Sequence, residues 1–243
     1  MSDSASRRMS DSDTPAYHRR IRSFVRREGR LTPAQSRALD ALMPRYGVAA
    51  EAFADPAQLF ERPAPLTLEI GFGDGENLLA ACQQHPERNF LGFEVHRPGV
   101  GRLLDRADKA GVVNLKVSTD DAAETLAQSA MTPWIDSLYV LFPDPWHKKK
   151  HNKRRLIQAP LIGKLAARLK VGGYLHCATD WQPYAEQILE VLKAEPLLEN
   201  NAALSHPELA GYAPKPHYRP LTKFENRGIK LGHGVWDVVF VRI

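Results

Sequence analysis

The chain has 243 residues, of which 43% are hydrophobic and 25% are charged, and its formal net charge is +5. This composition fits one globular α/β core with added segments and excludes a fibrous or wholly disordered chain. No stretch approaches the roughly 20 apolar residues of a membrane-spanning helix, and the first residues lack the apolar centre of a secretory signal. We therefore expect a cytoplasmic protein whose excess positive charge favours polyanionic partners.

The N-terminal quarter divides into a polar tail and a basic extension. Residues 1–14 are rich in Ser and Asp and too poor in apolar side chains to offset the entropy of ordering, which predicts a disordered tail. Residues 15–60 form a basic extension with one helix, which the capping pattern of Thr32, Pro33 and Gln35 starts and which we expect to end near Met43. The arginines of this extension are Arg19, Arg20, Arg22, Arg26, Arg27 and Arg30.

Residues 61–243 have the pattern of a single α/β domain. Short β-branched or apolar runs alternate with segments able to form helices, which predicts right-handed βαβ units and a doubly wound, mostly parallel sheet. The final apolar run predicts a closing strand. The predicted strands are Leu66–Ile70, Phe90–Glu94, Val113–Val117, Ile135–Phe142, Tyr174–Ala178 and Val235–Ile243.

A glycine-rich loop follows the first predicted strand. Gly71, Gly73 and Gly75 stand directly before a helical pattern, where the backbone can turn sharply and approach a nucleotide-like ligand. The spacing is GxGxG, and Glu76 occupies the third-glycine position of the dinucleotide motif GxGxxG. With Glu69 before it, the loop resembles motif I of class I methyltransferases, whose cofactor carries a cationic amino acid end. A plain glycine-rich turn remains the alternative.

Acidic residues follow the next two predicted strands. Glu94 ends the second strand, where a carboxylate can accept hydrogen bonds from two ribose hydroxyls. Asp120 and Asp121 follow the third strand, where one could accept the adenine amino group. Each acid taken alone is typical of a solvated surface charge. Acids at three successive strand ends beside a glycine loop indicate a ligand site, because ligands bind at the carboxyl ends of parallel strands.

The fourth predicted strand ends in the sequence Phe142-Pro143-Asp144-Pro145-Trp146. The two prolines restrain Asp144, which this position places over a methyl donor, and Trp146 offers a flat face for a base; a rigid turn with an exposed tryptophan is the alternative. The following stretch, Lys148–Arg155, contains six Lys or Arg. Such density indicates either a solvated face or a nucleic-acid patch, and its position beside the predicted site favours the patch.

The chain has two cysteines, Cys82 and Cys177, which lie far apart without ligand spacing around them. This pattern argues against a disulfide framework and a metal site, and predicts buried, inert thiols. The absence of a cysteine beside the predicted site also argues against carbon methylation of a pyrimidine, which needs a thiolate nucleophile.

Five motifs in order resemble the bacterial tRNA (guanine-N7)-methyltransferase family, TrmB. They are LEIGFGDGENLL, LGFEVHRPGVGRLL, FPDPWHKKKHNKRR, ATDWQPYAEQIL and TKFENRG, and they cover the chain from about residue 30 to its end. The resemblance implies a Rossmann-like class I fold, with a seven-stranded sheet and an antiparallel C-terminal strand. It also implies S-adenosylmethionine as cofactor, no metal, and tRNA as partner with the target guanine in the variable loop. Whether the protein is a monomer or a homodimer stays open.

The resemblance also assigns roles to individual residues. Asp144 would orient the guanine and stabilise the positive charge that methylation creates, while Asp180 and Glu225 would accept hydrogen bonds from its N1–H and amino edge. Trp146, Tyr218 and Phe224 are candidate stacking partners for the base, with ordinary packing as the alternative. The implied cofactor-binding residues are Glu69, Gly71, Gly73, Gly75, Glu94, Asp121 and Asp144. The implied substrate-binding residues are Lys148, Asp180, Thr222, Lys223, Phe224 and Glu225, and the implied RNA-binding residues are Lys150, His151, Asn152, Lys153, Arg154 and Arg155.

Other functions compete with this one. Residues 143–146 loosely resemble the D/N-P-P-aromatic motif of enzymes that methylate the adenine amino group. An RNA-binding module without catalysis would also explain the basic run. A dehydrogenase is the weakest candidate, because the third glycine is misplaced and the basic run would be unexplained.

Overall fold

The computed structural model describes residues 30–219, 225 and 234–243. The predicted tail 1–14, the arginines before Arg30, and Thr222, Lys223 and Phe224 lie outside these residues. The helices are α1 (Pro33–Tyr46), α2 (Glu76–Gln84), α3 (Arg97–Lys109), α4 (Ala122–Gln128), α5 (Ala159–Arg168), α6 (Gln182–Lys193) and α7 (Asn201–Ser205). The strands are β1 (Leu66–Ile70), β2 (Asn89–Phe93), β3 (Leu115–Ser118), β4 (Ile135–Leu141), β5 (Leu169–Thr179), β6 (Leu198–Glu199) and β7 (Trp236–Arg242).

The strands form one seven-stranded sheet in the order β3-β2-β1-β4-β5-β7-β6. Strands β1 to β5 are parallel, and β7 is antiparallel to both β5 and β6. The predicted α/β class with an antiparallel C-terminal strand is therefore confirmed. Because β7 runs in reverse, its first residues pair with the last residues of β5, Asp237 with Ala178 and Trp236 with Thr179.

Apolar side chains cover both faces of the sheet. In β2, Leu91 and Phe93 belong to one buried cluster and Phe90 belongs to the other, because alternate residues of a strand face opposite sides of the sheet. Cys82 and Cys177 lie one in each cluster, and burial raises the pKa of both thiols. The thiols are thus buried and protonated at neutral pH, as predicted.

Helix α1 begins where the sequence predicts. Thr32 accepts a hydrogen bond from the Gln35 backbone N–H, and the Gln35 side chain accepts one from the Thr32 backbone N–H. The helix continues past the predicted end at Met43 and includes Pro44. Packing explains the extension, because the Tyr46 hydroxyl donates to the Val112 carbonyl at 2.8 Å and so holds the last turn against the end of α3.

Replacing Thr32 with alanine is expected to lower the free energy of unfolding by about 1 kcal/mol, because the cap of α1 loses its side-chain acceptor. Urea denaturation of the two proteins measures this difference. Ser36→Ala, one turn further on, is the control and should change the unfolding free energy by less than about 0.5 kcal/mol. Equal effects of both substitutions would contradict the capping role.

No helix in the described ranges combines the length and the apolar character that crossing a membrane requires. Within the same ranges, His, Cys, Asp and Glu side chains form no group of three or more that could hold a metal ion.

Candidate active site

Two adjoining cavities lie at the carboxyl edge of the parallel strands. The larger, of about 400 Å³, is lined by residues that follow β1, β2, β3 and β4. The smaller, of about 360 Å³, lies between the glycine loop, the residues after β4 and Asp180 after β5. Gly71 and Pro143 line both cavities. The predicted site residues of four strands therefore converge at one edge of the sheet.

The glycine loop needs its glycines for two different reasons. Gly71 has φ +78° and Gly73 has φ +58°, and a Cβ atom at either would meet nothing within 4 Å. At both positions the backbone is open to a ligand. Gly75 has φ +72°, and a Cβ atom there would lie 2.7–2.9 Å from side-chain atoms of Leu103. Gly75 is therefore required by packing against α3 as well as by its backbone conformation.

Glu69 is a buried carboxyl group facing the smaller cavity. It is 3% exposed and accepts a hydrogen bond from the Asn77 side-chain amide at 3.1 Å. Burial raises the pKa of Glu69 to about 7, and the nearby Glu94 adds to the increase. The buried Asn77 Oδ1 atom has no hydrogen-bond partner among the residues that the structure describes. A cationic donor group would satisfy both side chains.

Glu94, directly after β2, lines the larger cavity and also binds the backbone of two neighbouring segments. One carboxylate oxygen accepts from the Gly73 backbone N–H and the other from the His96 backbone N–H, each at 2.8 Å. These bonds fix the glycine loop relative to β2. The side chain is thus preorganised at the position where a ribose acceptor is predicted.

Asp121 caps a helix in addition to lining the larger cavity. Its Oδ1 atom accepts hydrogen bonds from the backbone N–H groups of Ala123 and Glu124 at the start of α4. Its neighbour Asp120 lines the same cavity and contacts the Ser118 hydroxyl at 3.3 Å. Asp120 is accordingly a second candidate for the predicted adenine contact.

The loop after β4 has an unusual backbone. Phe142 has φ +52° and Trp146 has φ +47°, in the left-handed region that non-glycine residues rarely adopt. Between them, Asp144 lines the larger cavity, and its Oδ1 atom accepts from the Trp146 backbone N–H at 3.1 Å. Strained residues of this kind cluster at functional sites, where surrounding contacts hold them.

The cationic segment, residues 148–155, forms a 3-10 turn from Lys149 to Arg154 beside this loop. Arg154 stacks over the Trp146 ring at 5.0 Å, and His151 meets the same ring edge-on at 5.9 Å. Desolvation, with the neighbouring cations, lowers the pKa of His151 and so favours the neutral imidazole. Lys148, Lys149, Lys150 and Lys153 are exposed, which is the placement a phosphate-binding surface requires.

Arg155, one of the predicted RNA-binding residues, contacts the protein itself. It is only 4% exposed, and its guanidinium donates to the Pro145 carbonyl at 2.9 Å and to the Gln187 side chain at 2.6 Å. It also lies 4.8 Å from the centre of the Tyr184 ring. Arg155 therefore fastens the loop after β4 to α6, and a basic residue in a basic run conceals this role from the sequence.

Lys153→Met is expected to weaken tRNA binding and to lower the slope of log affinity against log salt by about 1, because one phosphate contact is lost. Its melting temperature should not change. Arg155→Met is expected to lower the free energy of unfolding by about 2 kcal/mol, because buried acceptors lose a charged donor. Filter binding at several salt concentrations and urea denaturation separate the two effects. A melting temperature that falls for Lys153→Met but not for Arg155→Met would contradict the RNA-binding role of Lys153 and the structural role of Arg155.

The predicted substrate residues are only partly described. Asp180 lines the smaller cavity, and Lys148 is exposed at the start of the cationic segment. Glu225 is 2% exposed, with one oxygen 3.1 Å from the Lys215 amine and the other 2.6 Å from the Arg219 guanidinium. Thr222, Lys223 and Phe224 lie outside the described residues. Tyr218 stacks on Tyr139 at 5.2 Å between ring centres, so one face of this candidate is occupied by the protein.

A buried polar cluster behind the smaller cavity was not anticipated from the sequence. Arg219 binds both oxygens of Asp237 at 2.8 and 2.9 Å, and Asp237 also contacts His176 at 2.8 Å. All three side chains are at most 3% exposed. A signal was available, because His176 and Asp237 are polar residues with apolar neighbours on both sides in β5 and β7.

Together, the sheet order with its antiparallel β7, the glycine loop and the acids at the strand ends define a class I methyltransferase. The residues fit S-adenosylmethionine. Buried Glu69 and the Asn77 oxygen, which has no partner within the described part of the chain, suit its ammonium group, and Glu94 suits its ribose. A diphosphate cofactor would instead meet the acid before the loop.

Comparisons with known proteins define the family. Residues 63–238 match the family model described as "Putative methyltransferase". The tRNA (guanine-N(7)-)-methyltransferase of Albidiferax ferrireducens is 55% identical over 94% of this chain and 98% of its own. The tRNA (guanine-N(7)-)-methyltransferase of a Polaromonas species is 60% identical over 95% of this chain and 93% of its own. Among solved structures, the 16S rRNA (adenine(1408)-N(1))-methyltransferase of Catenulisporales acidiphilia is 20% identical, covers 81% of this chain and 92% of that chain, and has a TM-score of 0.47. The chain belongs to the tRNA (guanine-N(7)-)-methyltransferase family.

Proposed function

We propose that this enzyme transfers a methyl group from S-adenosylmethionine to N7 of a guanine in the variable loop of tRNA, and that it works in the cytoplasm. The observation that carries the proposal is the convergence of acidic strand-end side chains on two cavities beside an exposed cationic segment. High identity to relatives named for this reaction supports the same conclusion.

The two cavities divide the substrates between them. The adenosine part of the methyl donor fits the larger cavity, where Glu94 accepts from the ribose and Asp120 or Asp121 accepts from adenine. Glu69 and Asn77, which line the smaller cavity beside the glycine loop, would hold the amino acid end. The guanine would enter the same cavity, which Asp180 also lines.

S-adenosylmethionine supplies a methyl group bound to a positively charged sulfur. Guanine N7 carries a lone pair, so the protein needs no base and no covalent nucleophile, and catalysis depends mainly on positioning. Methylation would leave a positive charge on the purine. Asp144, beside Pro143 at the junction of the cavities, orients the base and stabilises this charge.

The cationic segment supplies the RNA affinity. Its exposed lysines bind phosphates without reading sequence, and Arg154 on Trp146 links that surface to the loop that carries Asp144. Extracting a base from folded tRNA costs a few kcal/mol, which stacking and edge contacts must offset.

The competing functions make different predictions. An adenine amino-group methyltransferase would leave its methyl group on adenine, and mass spectrometry of nucleosides distinguishes the two. A binding module without catalysis would not bind the methyl donor in a calorimeter. The guanine-N7 relatives favour neither alternative.

The experiment is a methyl-transfer assay on unmodified tRNA transcripts, followed by mapping of alkali-labile guanines. The expected result is one labile site, in the variable loop, that depends on S-adenosylmethionine. Methyl transfer to another atom or another RNA class would reject the proposal. A transcript with adenosine at the target position serves as the control substrate.

A further inference from the structure

Two sides of the smaller cavity come from separate parts of the chain. One side is the loop after β4, which contributes Pro143 and Pro145 and carries Asp144 between them. The other side is Asp180, which follows β5 and precedes α6 by two residues. Because the methyl acceptor must fit between these sides, their separation decides how the acceptor atom is aligned with the methyl donor.

The loop after β4 is held on both sides of Asp144. Before Asp144, the Phe142 backbone N–H donates to the Ala178 carbonyl of β5 at 2.7 Å. After Asp144, the Arg155 Nε–H donates to the Pro145 carbonyl at 2.9 Å. The loop has a left-handed residue at each end, and such a backbone persists only where neighbouring contacts hold it. The bond from Arg155 is one of these contacts, and it acts on the residue next to Asp144.

The same guanidinium is bound to the first turns of α6. Its Nη1 atom donates to the Gln187 side-chain oxygen at 2.6 Å and to the Pro183 carbonyl at 3.3 Å. The guanidinium carbon lies 4.8 Å from the centre of the Tyr184 ring. Gln187 is held in turn, because its amide nitrogen donates to the Ile157 carbonyl at 3.0 Å. Arg155 therefore bridges the loop after β4 and the start of α6.

The chemistry of this bridge requires an arginine. Its planar fork sends Nε to one acceptor and Nη1 to another at a fixed angle, which a lysine cannot reproduce. A second contact crosses between the same two segments, because the His147 ring meets the Trp181 ring edge-on at 4.5 Å. Trp181 directly follows Asp180. The segment that carries Asp144 and the segment that carries Asp180 are thus connected twice.

We propose that Arg155 is a positioning residue for methyl transfer, because it holds the loop that carries Asp144 at a fixed distance from the helix that follows Asp180. The inference rests on the proposed function. Arg155 is not among the residues that line either cavity, and it acts through the Pro145 carbonyl and α6. Without the bridge the loop shifts, and the acceptor atom leaves the line of attack.

The test is single-turnover methyl transfer to one tRNA transcript, with enzyme and S-adenosylmethionine in saturating excess. Arg155→Met is expected to lower the rate constant about 10- to 100-fold, because a misplacement of about 1 Å can cost that much. Arg155→Lys should lose about three- to tenfold, since it keeps the charge but not the fork. S-adenosylmethionine affinity should stay within about threefold, because Glu69 and Glu94 remain. Affinity for tRNA and its salt dependence should not change.

Gln187→Met tests the other end of the bridge. It removes the acceptor on α6 and is expected to lower the same rate constant about three- to tenfold. In the variant that combines Arg155→Met with Gln187→Met, the two losses should not multiply, because both substitutions break one bridge. Glu190→Gln, at an exposed position of the same helix, is the matched control and should transfer at the wild-type rate.

Arg168→Gln controls for a loss of stability. Arg168 is also fully buried, but it binds Ser129 and the Lys164 carbonyl just before β5 begins, at the edge of the sheet opposite to the cavities. Its replacement should lower the melting temperature. At a temperature well below the melting point of every variant, its rate constant should equal that of the wild type.

Wild-type transfer by Arg155→Met would overturn the inference, as would losses that multiply fully in the combined variant or an equal loss in Arg168→Gln. A normal rate with weaker tRNA binding and a lower salt slope would also overturn it, and would make Arg155 an RNA contact. If Arg155→Met does not fold, Arg155→Lys and Gln187→Met decide the outcome.

Transfer by the wild-type enzyme is measured first. Its absence would reject the proposed function itself. Normal wild-type transfer with unchanged rate constants in the Arg155 and Gln187 variants would reject only the positioning role of Arg155.

Discussion

Alanine at position 144 is expected to lower kcat about 100- to 1000-fold, the range for removing one preorganised group that stabilises transition-state charge. Asp144 lies exposed at the junction of the cavities and is held by the Trp146 backbone N–H. Affinity for S-adenosylmethionine should stay within about fivefold, because Glu69 and Glu94 remain. Single-turnover methyl transfer with saturating tRNA measures the effect.

Two variants separate the possible causes of this loss. Asp144→Asn keeps the size and the acceptor for the Trp146 N–H but removes the charge, so a loss close to that of alanine assigns the effect to charge. Asp105→Ala, on the outer surface of α3 where it pairs with Lys109, should behave as wild type. Near-normal turnover of Asp144→Ala with intact cofactor binding would remove Asp144 from catalysis.

The sequence predicts the bounds of some strands and misses those of others. The predicted and observed bounds of β1 coincide at Leu66–Ile70. Strand β5 begins at Leu169, before the predicted Tyr174, because Gly172 and Gly173 look like a turn but form an irregularity in the pairing with β4. Val113 was predicted in β3 on its β-branched side chain, yet it is exposed in the preceding loop. The secondary-structure preferences of individual residues cannot reveal either feature.

Site residues were predictable where function depends on position at a strand end. The residues after β1, β2, β3 and β4 line the two cavities because parallel strands all end at the same edge. The helix cap of Asp121 and the burial of Arg155 were not predictable, since each depends on which way one side chain turns. The Arg219 cluster needs contacts between Asp237, Glu225 and His176, which a one-dimensional pattern does not encode.

Glu69 combines a functional benefit with a cost in stability. Its pKa in the folded protein is about 7, above the ordinary 4.5, because burial disfavours the charged form. The folded state therefore holds its proton more tightly than the unfolded state. Between pH 4.5 and 7 the free energy of unfolding falls as pH rises, by about 3 kcal/mol in total, and above pH 7 this contribution is constant.

Glu69→Gln is expected to remove this cost in stability and to weaken the binding of the cofactor. The amide keeps an acceptor for the Asn77 side chain, so the local packing is preserved. At pH 8 the ligand-free variant should exceed wild type in unfolding free energy by up to about 3 kcal/mol, with a smaller gain at pH 5. Urea denaturation at the two pH values measures the difference. A gain independent of pH would exclude titration of Glu69 as its cause.

The same variant should bind S-adenosylmethionine about 10- to 100-fold more weakly at pH 8, because the ammonium group loses a charged acceptor. Wild-type affinity should itself fall about tenfold per pH unit below 7, since Glu69 must lose its proton to bind a cation. The difference in affinity between the two proteins should therefore shrink by about tenfold from pH 8 to pH 6, which calorimetry at the two pH values measures. Equal affinities at pH 8 would show that the buried carboxylate does not hold the ammonium group. If the variant gains stability without losing affinity, the proposed cofactor contact does not explain why Glu69 is kept at a destabilising position.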